Sequence, residues 1–390
     1  MCFCLKSIKK KVAAENCYQL PDSHQSKYEL GPLLGNGGFG KVFQGTVKPS
    51  MKNIVFKVLH KRDVQVPREV LILERLYKHP NIISHIEHFY ENQWFIVLER
   101  FGYMWNGASC DLFEMIDYFN LQRKHRLQSK HTAAQELCIP EEKVRYIISQ
   151  LIAAIEFLRL NNLIHRDIKD ENILVNENFE IKLADFGSAT FLGVSNNHRS
   201  NQNDEAELNK FGGVFSQFLG TILYASPEVV QYNAYCGFMQ ESWSIGILAF
   251  TMLFGYSPFT NKDEILYRDL TLERLAPQMR DCITHDCKTV LLGCLNRNML
   301  TRYSLNDLKT SGWVNYTPQL YLEPPLTWDE GPNCLYPNQP SDRYKSWSLV
   351  RRIGEPFQIL YNTYARKEPK IESFVGRITR KDTKVSLAKS

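Results

Sequence analysis

The sequence predicts an α+β chain in two parts, a small β-rich unit over residues 28–101 and a larger, mainly helical unit over residues 102–316. Runs rich in Val, Ile, Phe and Thr crowd the first part, at residues 41–47, 54–58 and 94–99, with the composition of strands. Apolar residues at helical spacing dominate the second: Val144, Ile147, Ile148, Leu151, Ile155 and Leu158 in one stretch, residues 243–248 in another. An apolar content of 44% against 23% charged residues leaves ample material for a buried core.

Composition narrows the classes. The net charge of +5 is mild and the basic stretch 341–390 more than accounts for it, so nucleic-acid binding is not expected. The ten cysteines are scattered without a Cys-x-x-Cys pair, which argues against a structural zinc site. No run approaches transmembrane length, and no signal peptide opens the sequence. A reduced, intracellular setting follows, cytoplasmic with the nucleus as a second compartment, and a monomer is expected. Over residues 1–27, Cys2 and Cys4 stand beside Lys6, Lys9, Lys10 and Lys11. Acylated cysteines with polybasic support would give a membrane anchor there; a solvated leader is the alternative.

In the first unit, Gly35, Gly37 and Gly40 form G-x-G-x-x-G, with Val42 two residues on. Glycines let backbone amides approach a phosphate closely. Dinucleotide-binding folds use the pattern too, but there it opens a helix, and here a strand follows. An ordinary glycine-rich hairpin is the other reading. Lys57 interrupts the strand at 54–58, where a lysine is usually solvated; it gains meaning if a carboxylate meets it. The helix predicted over 66–76, with Pro67 in its first turn and Val70, Leu73 and Leu76 at helical spacing, offers Glu69 in preference to Glu74.

In the second unit Asp111-Leu112-Phe113 opens a helix, and residues 121–138 read as a polar inserted loop. The helix over 144–160 leads into residues 163–172, Leu-Ile-His-Arg-Asp-Ile-Lys-Asp-Glu-Asn. An acid, a cation and an amide in one loop can serve one phosphate: Asp167 accepts a hydroxyl proton, Lys169 neutralises charge and Asn172 holds a metal. A hairpin over 173–184 delivers Asp185-Phe186-Gly187, whose carboxylate just past a strand end suits a divalent metal. Residues 193–213, rich in Asn, Ser and Glu, read as a mobile insertion. Gly220-Thr221 and Ser226-Pro227-Glu228 follow, and Arg302 is placed to pair with Glu228.

The ordered set of the glycine loop, Lys57, Glu69, His165-Arg166-Asp167 with Asn172, Asp185-Phe186-Gly187 and Pro227-Glu228 is specific where each piece alone is common. With it the chain resembles a eukaryotic Ser/Thr protein kinase from residue 28 to about 316. That implies a bilobal fold, N-lobe 28–101 and C-lobe 102–316. Within kinases it is most similar to the PIM family, on Gly31-Pro32-Leu33-Leu34-Gly35, Val66-Pro67 before Glu69-Val70, Leu98-Glu99-Arg100 and residues 166–174. The PAS-domain kinase is a close second, on Thr327-Trp328-Asp329-Glu330.

The resemblance implies ATP and Mg²⁺ as cofactors, protein substrates, and a set of roles. Gly35, Asn36, Gly37, Gly38, Phe39 and Gly40 would cover the ATP phosphates, with Leu34 beside them in the nucleotide site. Lys57, oriented by Glu69, would hold the α- and β-phosphates. Val42, Val55 and Leu174 would sandwich the adenine, with Glu99 and Phe101 facing it behind Leu98. Asp167 would take the substrate hydroxyl, and Lys169 would stabilise the phosphoryl group and mark Ser/Thr specificity, both supported by Thr221. Asn172 and Asp185 would bind Mg²⁺. Asp111 and Glu171 would read basic residues upstream of the acceptor, with ribose binding or plain solvation as the alternative.

The chain also departs from the family pattern. Gln217 stands where many kinases carry an activating phospho-residue, which predicts activity without that switch; neighbouring Ser216 could substitute. Val55 replaces an alanine, His85 a spine leucine, Glu241 an aspartate, and Asn298-Met299 an Asp-Pro pair. Residues 317–390, proline-rich at first and basic at the end, read as a partly disordered extension. Two readings compete with an active kinase. One is a pseudokinase scaffold that binds partners without turnover; the other, an oxidoreductase, fails on the strand after Gly40.

Overall fold

The computed structural model describes residues 20–315 except 39, 61–63, 77–78, 103–110, 131–135, 193–212, 216, 233–234 and 278–279. The readings at Cys2, Cys4, Phe39, Ser216, 193–212 and 317–390 lie outside the described residues. Two compact units result: one ends at Phe101, and the other takes His79–Ile82 and the chain from Gly102 onward.

In the first unit a one-turn helix α1 (Asp22–Gln25) precedes five strands. These are β1 (Tyr28–Asn36), β2 (Gly40–Val47), β3 (Lys52–Leu59), β4 (His85–Glu91) and β5 (Gln93–Glu99). They form one antiparallel sheet in the order β1-β2-β3-β5-β4. β3 is the central strand, and Phe56, Lys57, Val58 and Leu59 are all buried. That explains its nearly continuous apolar run. Tyr28, Phe43, Ile54, Phe56, Phe95 and Val97 share one core cluster. Pro67, with φ −61°, caps the N-terminus of α2 (Arg68–Arg75), a conformation its ring presets. His85 carries out the departure noted in the sequence: its Nε2 is buried without a hydrogen-bond partner, and the ring stacks on His88 at 5.3 Å. Burial, helped by His88, lowers its pKa and keeps the imidazole neutral.

The second unit is mainly helical, with short strand pairs. Its order is α3 (Leu112–Lys130), α4 (Glu141–Leu160), β6 (Leu163–Ile164), β7 (Ile173–Val175), β8 (Ile181–Leu183), β9 (Thr190–Phe191), β10 (Val214–Phe215), α5 (Pro227–Tyr232), β11 (Tyr235–Cys236) and α6 (Gly237–Phe254). Then come α7 (Lys262–Tyr267), α8 (Leu272–Leu275), α9 (His285–Cys294), α10 (Leu305–Thr310) and α11 (Gly312–Asn315). All six apolar positions of α4 predicted to be internal are buried. α6 is nearly wholly buried and apolar over most of its surface, with Gln240, Glu241, Ser242 and Ser244 buried in its first half.

One expectation is corrected. Residues 121–130 are not part of a loop but the second half of α3. Leu121, Gln122, Lys124 and His125 are exposed, so no apolar stripe announces this helix. Its Leu, Gln, Arg and Lys are good helix formers, and Arg123 anchors it by donating to the carbonyls of Phe254 (3.2 Å) and Glu136 (3.3 Å).

The thiols of Cys138, Cys236, Cys287 and Cys294 are buried, while Cys282 is half-exposed. Burial pushes Cys236 up to about 11 and Cys294 up to about 12.

Candidate active site

The loop after β6 gathers the predicted residues of the second unit. Asn172 Nδ2 donates to both the Asp167 carbonyl (2.8 Å) and its carboxylate Oδ2 (2.9 Å). Lys169 Nζ lies 3.5 Å from Asp167 Oδ2, donates to Thr221 Oγ1 at 3.2 Å and pairs with Glu171 at 2.8 Å. Burial alone would lower the Lys169 pKa; Glu171 and Asp167 outweigh it and raise the pKa above its ordinary value. A Cβ on Gly220 would sit 3.0 Å from Asp167 Oδ1 and 2.8 Å from the Phe218 ring, so a larger residue there would displace one of these side chains.

Asp185 is left-handed (φ 57°, ψ 79°), a conformation uncommon outside glycine, and its carboxylate accepts the Gly187 N–H at 3.2 Å. The buried Phe186 ring packs edge-on to His165 at 5.0 Å, and His165 Nε2 reaches the Ala184 carbonyl at 3.0 Å. This ties the Asp185 turn to the Asp167 loop.

Arg166 also has a positive φ, 70°. Its guanidinium donates to the Gln217 carbonyl (2.7 Å) and the Tyr235 hydroxyl (3.4 Å), and lies 4.4 Å over the Phe215 ring. The β10–β11 ladder sets Phe215 opposite Tyr235, which makes this cage possible.

Asp111 directly precedes α3, where its Oδ1 accepts the Glu114 N–H at 2.9 Å. Burial, resisted by that N–H and reinforced by Glu114, Asp170 and Glu171, pushes its carboxyl up to about 7. Its backbone bridges to Leu174. The Glu171 side chain is 56% exposed and free to meet a cation beyond Lys169.

The first unit holds its own set. Lys57 Nζ donates to both carboxylate oxygens of Glu69, at 2.7 and 2.8 Å, and both residues are buried. Glu74 sits elsewhere, 3.7 Å from His88. Gly35 pairs with Val42 and Asn36 with Lys41, while the Gly37 N–H closes the turn on the Gly40 carbonyl at 2.9 Å. Val55 faces Leu98 across β3 and β5. Val42, Val55, Leu98, Glu99 and Phe101 are half-buried and Leu34 exposed. Glu99 Oε1 accepts the Ser84 N–H at 2.7 Å.

Sequence reasoning did not single out Phe215, Tyr235 or Arg159. Their partners lie far along the chain: Arg166 and Tyr235 are 69 residues apart, Arg159 and Glu241 82. No local pattern marks such pairs.

Comparison with known proteins agrees with this assembly. Residues 28–314 match the protein kinase domain. Over 317 residues the chain is 30% identical to the PAS domain-containing serine/threonine-protein kinase of Mus musculus, covering 78% of this chain and 19% of that protein. Over 295 residues it is 30% identical to the serine/threonine-protein kinase PSK1 of Saccharomyces cerevisiae, covering 72% and 19%. Over 327 residues it is 29% identical to the CBL-interacting serine/threonine-protein kinase 19 of Arabidopsis thaliana, covering 79% and 57%. The chain thus spans 19% of the length of the first two and 57% of the third. A β-sheet N-lobe, a helical C-lobe and a domain match across most of its length show that this chain belongs to the protein kinase family, with the bilobal α+β fold of that family.

Proposed function

We propose that this chain is an active Ser/Thr protein kinase. It transfers the γ-phosphoryl group of ATP to protein hydroxyls, works without phosphorylation of the segment before Gly220, and selects acceptors preceded by basic residues. What carries the reading is the convergence of Asn172, Lys169 and, through Lys169, Thr221 on the single carboxylate of Asp167. We also read the chain as PIM-like, on Val66-Pro67 before Glu69 and on Gln217.

Protein kinases in general use ATP and Mg²⁺, and the residues present fit both. A Cβ at Gly35 or Gly38 would meet nothing within 4 Å, so neither glycine serves packing within the fold. Gly40 does: its Cβ would stand 2.4 Å from the Val58 carbonyl. Bare backbone at 35 and 38 suits the close approach of a phosphate. Both amide hydrogens of Asn172 are used by Asp167, which leaves its oxygen, with the Asp185 carboxylate, for a hard cation. Bound Mg²⁺ would neutralise phosphate charge. Asp167 orients the attacking hydroxyl and accepts its proton, Lys169 offsets charge on the transferring group, and Lys57, fixed by Glu69, steadies the remaining phosphates.

Phosphorylation commonly orders such segments by giving an arginine an anionic partner. Here the Arg166 guanidinium already has a carbonyl, a hydroxyl and a ring. Asp111 and Glu171 favour basic peptides by charge. A cation arriving beside Asp111 favours its ionised form, so binding of such peptides strengthens as pH rises through about 7.

The test uses phosphatase-treated protein, radiolabelled ATP–Mg²⁺ and two Ser peptides, one with upstream Arg and one with Ala. Undiminished transfer is expected, with kcat/KM about tenfold or more higher for the Arg peptide, a ratio that shrinks in Glu171→Gln. Loss of activity on phosphatase treatment removes the switch-free reading, and equal peptides remove the substrate reading. Transfer no greater than that of Asp167→Asn leaves a nucleotide-binding scaffold.

A further inference from the structure

Arg159 stands in the last turn of α4, six residues before His165, and its guanidinium lies 3.8 Å over the ring of Phe238 on α6. Its Nη2 donates to Glu241 Oε2 at 3.1 Å. Glu241, one turn on from Phe238, is only 2% exposed, and its other oxygen accepts the backbone N–H of His165 at 3.3 Å. His165 in turn meets Ala184 and Phe186, and Asp167 follows two residues later. One guanidinium is thus clamped by a ring and a carboxylate of the same helix, and that carboxylate grips the start of the catalytic loop.

We propose that Arg159 is a positioning residue for the catalytic loop, acting through Glu241 on the backbone N–H of His165. This rests on the reading of Asp167 as the group that takes the substrate proton. A buried carboxylate holds an N–H well only when ionised, and it stays ionised in a dry site only with a charged partner. Burial drives the Glu241 pKa up, and Arg159, with the His165 N–H, opposes the rise. Among the described residues Tyr235 and Cys236 of β11 also face this site beside His165; both are raised by burial and neutral at physiological pH, so neither can replace the guanidinium.

The experiment compares full-chain wild type with Arg159→Lys, Arg159→Met, and Arg159→Met combined with Glu241→Gln. Two readouts are followed: the pH profile of kcat, and hydrogen exchange at the His165 amide, which needs no turnover. In Arg159→Met, kcat at pH 7 should fall about 10- to 100-fold with the ATP KM unchanged, and should recover as pH rises. His165 exchange should quicken by about tenfold or more, the equivalent of one pKa unit. Arg159→Lys should restore most of both. The double variant, which buries no unpaired charge, should fold, stay slow and lose the recovery at high pH. Wild-type exchange and pH profile in Arg159→Met would overturn the proposal, as would full activity in the double variant. Should the wild type itself transfer no phosphate, the proton-acceptor reading of Asp167 fails, while the exchange data still decide whether Arg159 holds the loop.

Discussion

Asp167→Asn lowers kcat by about 10²- to 10⁴-fold while leaving the fold and the ATP affinity close to wild type, because a general base contributes on that scale. The substitution keeps the shape and one side-chain oxygen, so the bond from Asn172 Nδ2 can persist. It removes the charge that takes the proton and the farther of the two anions beside Lys169, which then depends on Glu171 alone. Single-turnover transfer with a saturating peptide, beside a thermal-shift titration with ATP, separates the rate from binding. More than a tenth of wild-type kcat in this variant would remove Asp167 from the chemistry. Lys57→Met is a less clean probe: it leaves the Glu69 carboxylate buried without its cation, so lost stability mixes with lost rate.

Arg302→Ala destabilises the C-terminal unit by about 3–5 kcal/mol, the usual cost of stranding one member of a buried ion pair. The Arg302 side chain is fully buried and that of Glu228 is 5% exposed. Two bonds of 2.6 and 2.8 Å join them. The same guanidinium donates to the carbonyls of Asn296 (2.8 Å) and Met239 (3.0 Å) and stacks over Trp243. Removing it therefore orphans a carboxylate and two carbonyls at once. Denaturant unfolding followed by tryptophan fluorescence measures the loss, and a change below about 1 kcal/mol would show that the pair does not hold this unit together. Replacing both partners by Met should restore much of the stability, since an apolar pair leaves no charge behind.

The parts of this architecture that could be read from sequence are those whose signal is local. The strands around Lys57, the α4 stripe and the 173–184 hairpin each follow a period or a run of β-formers, and Glu69, the expected partner, does meet Lys57. The second half of α3 was missed because its stability owes more to helix-forming composition and to Arg123 than to an apolar face. The left-handed Asp185 and Arg166 give no compositional sign, since neither is glycine. The Arg166 cage and the Arg159–Glu241 clamp depend on distant segments meeting, through β11 and α6, and no window of sequence contains both ends.

The buried cysteines make the C-terminal unit a reporter on itself. An alkylating reagent needs a thiolate, and the thiols of Cys236 and Cys294 are shielded and hard to ionise in the folded chain. With Cys138 and Cys287 they become available only when the surrounding helices part, whereas half-exposed Cys282 marks the rate of ordinary surface reaction. No cysteine occurs from residue 20 to 101, so the described sheet of the N-terminal unit stays silent in the same measurement. Mass-resolved labelling at these four sites therefore times the opening of one half of the molecule, without any introduced probe and without interference from the strands and α2 of the other half.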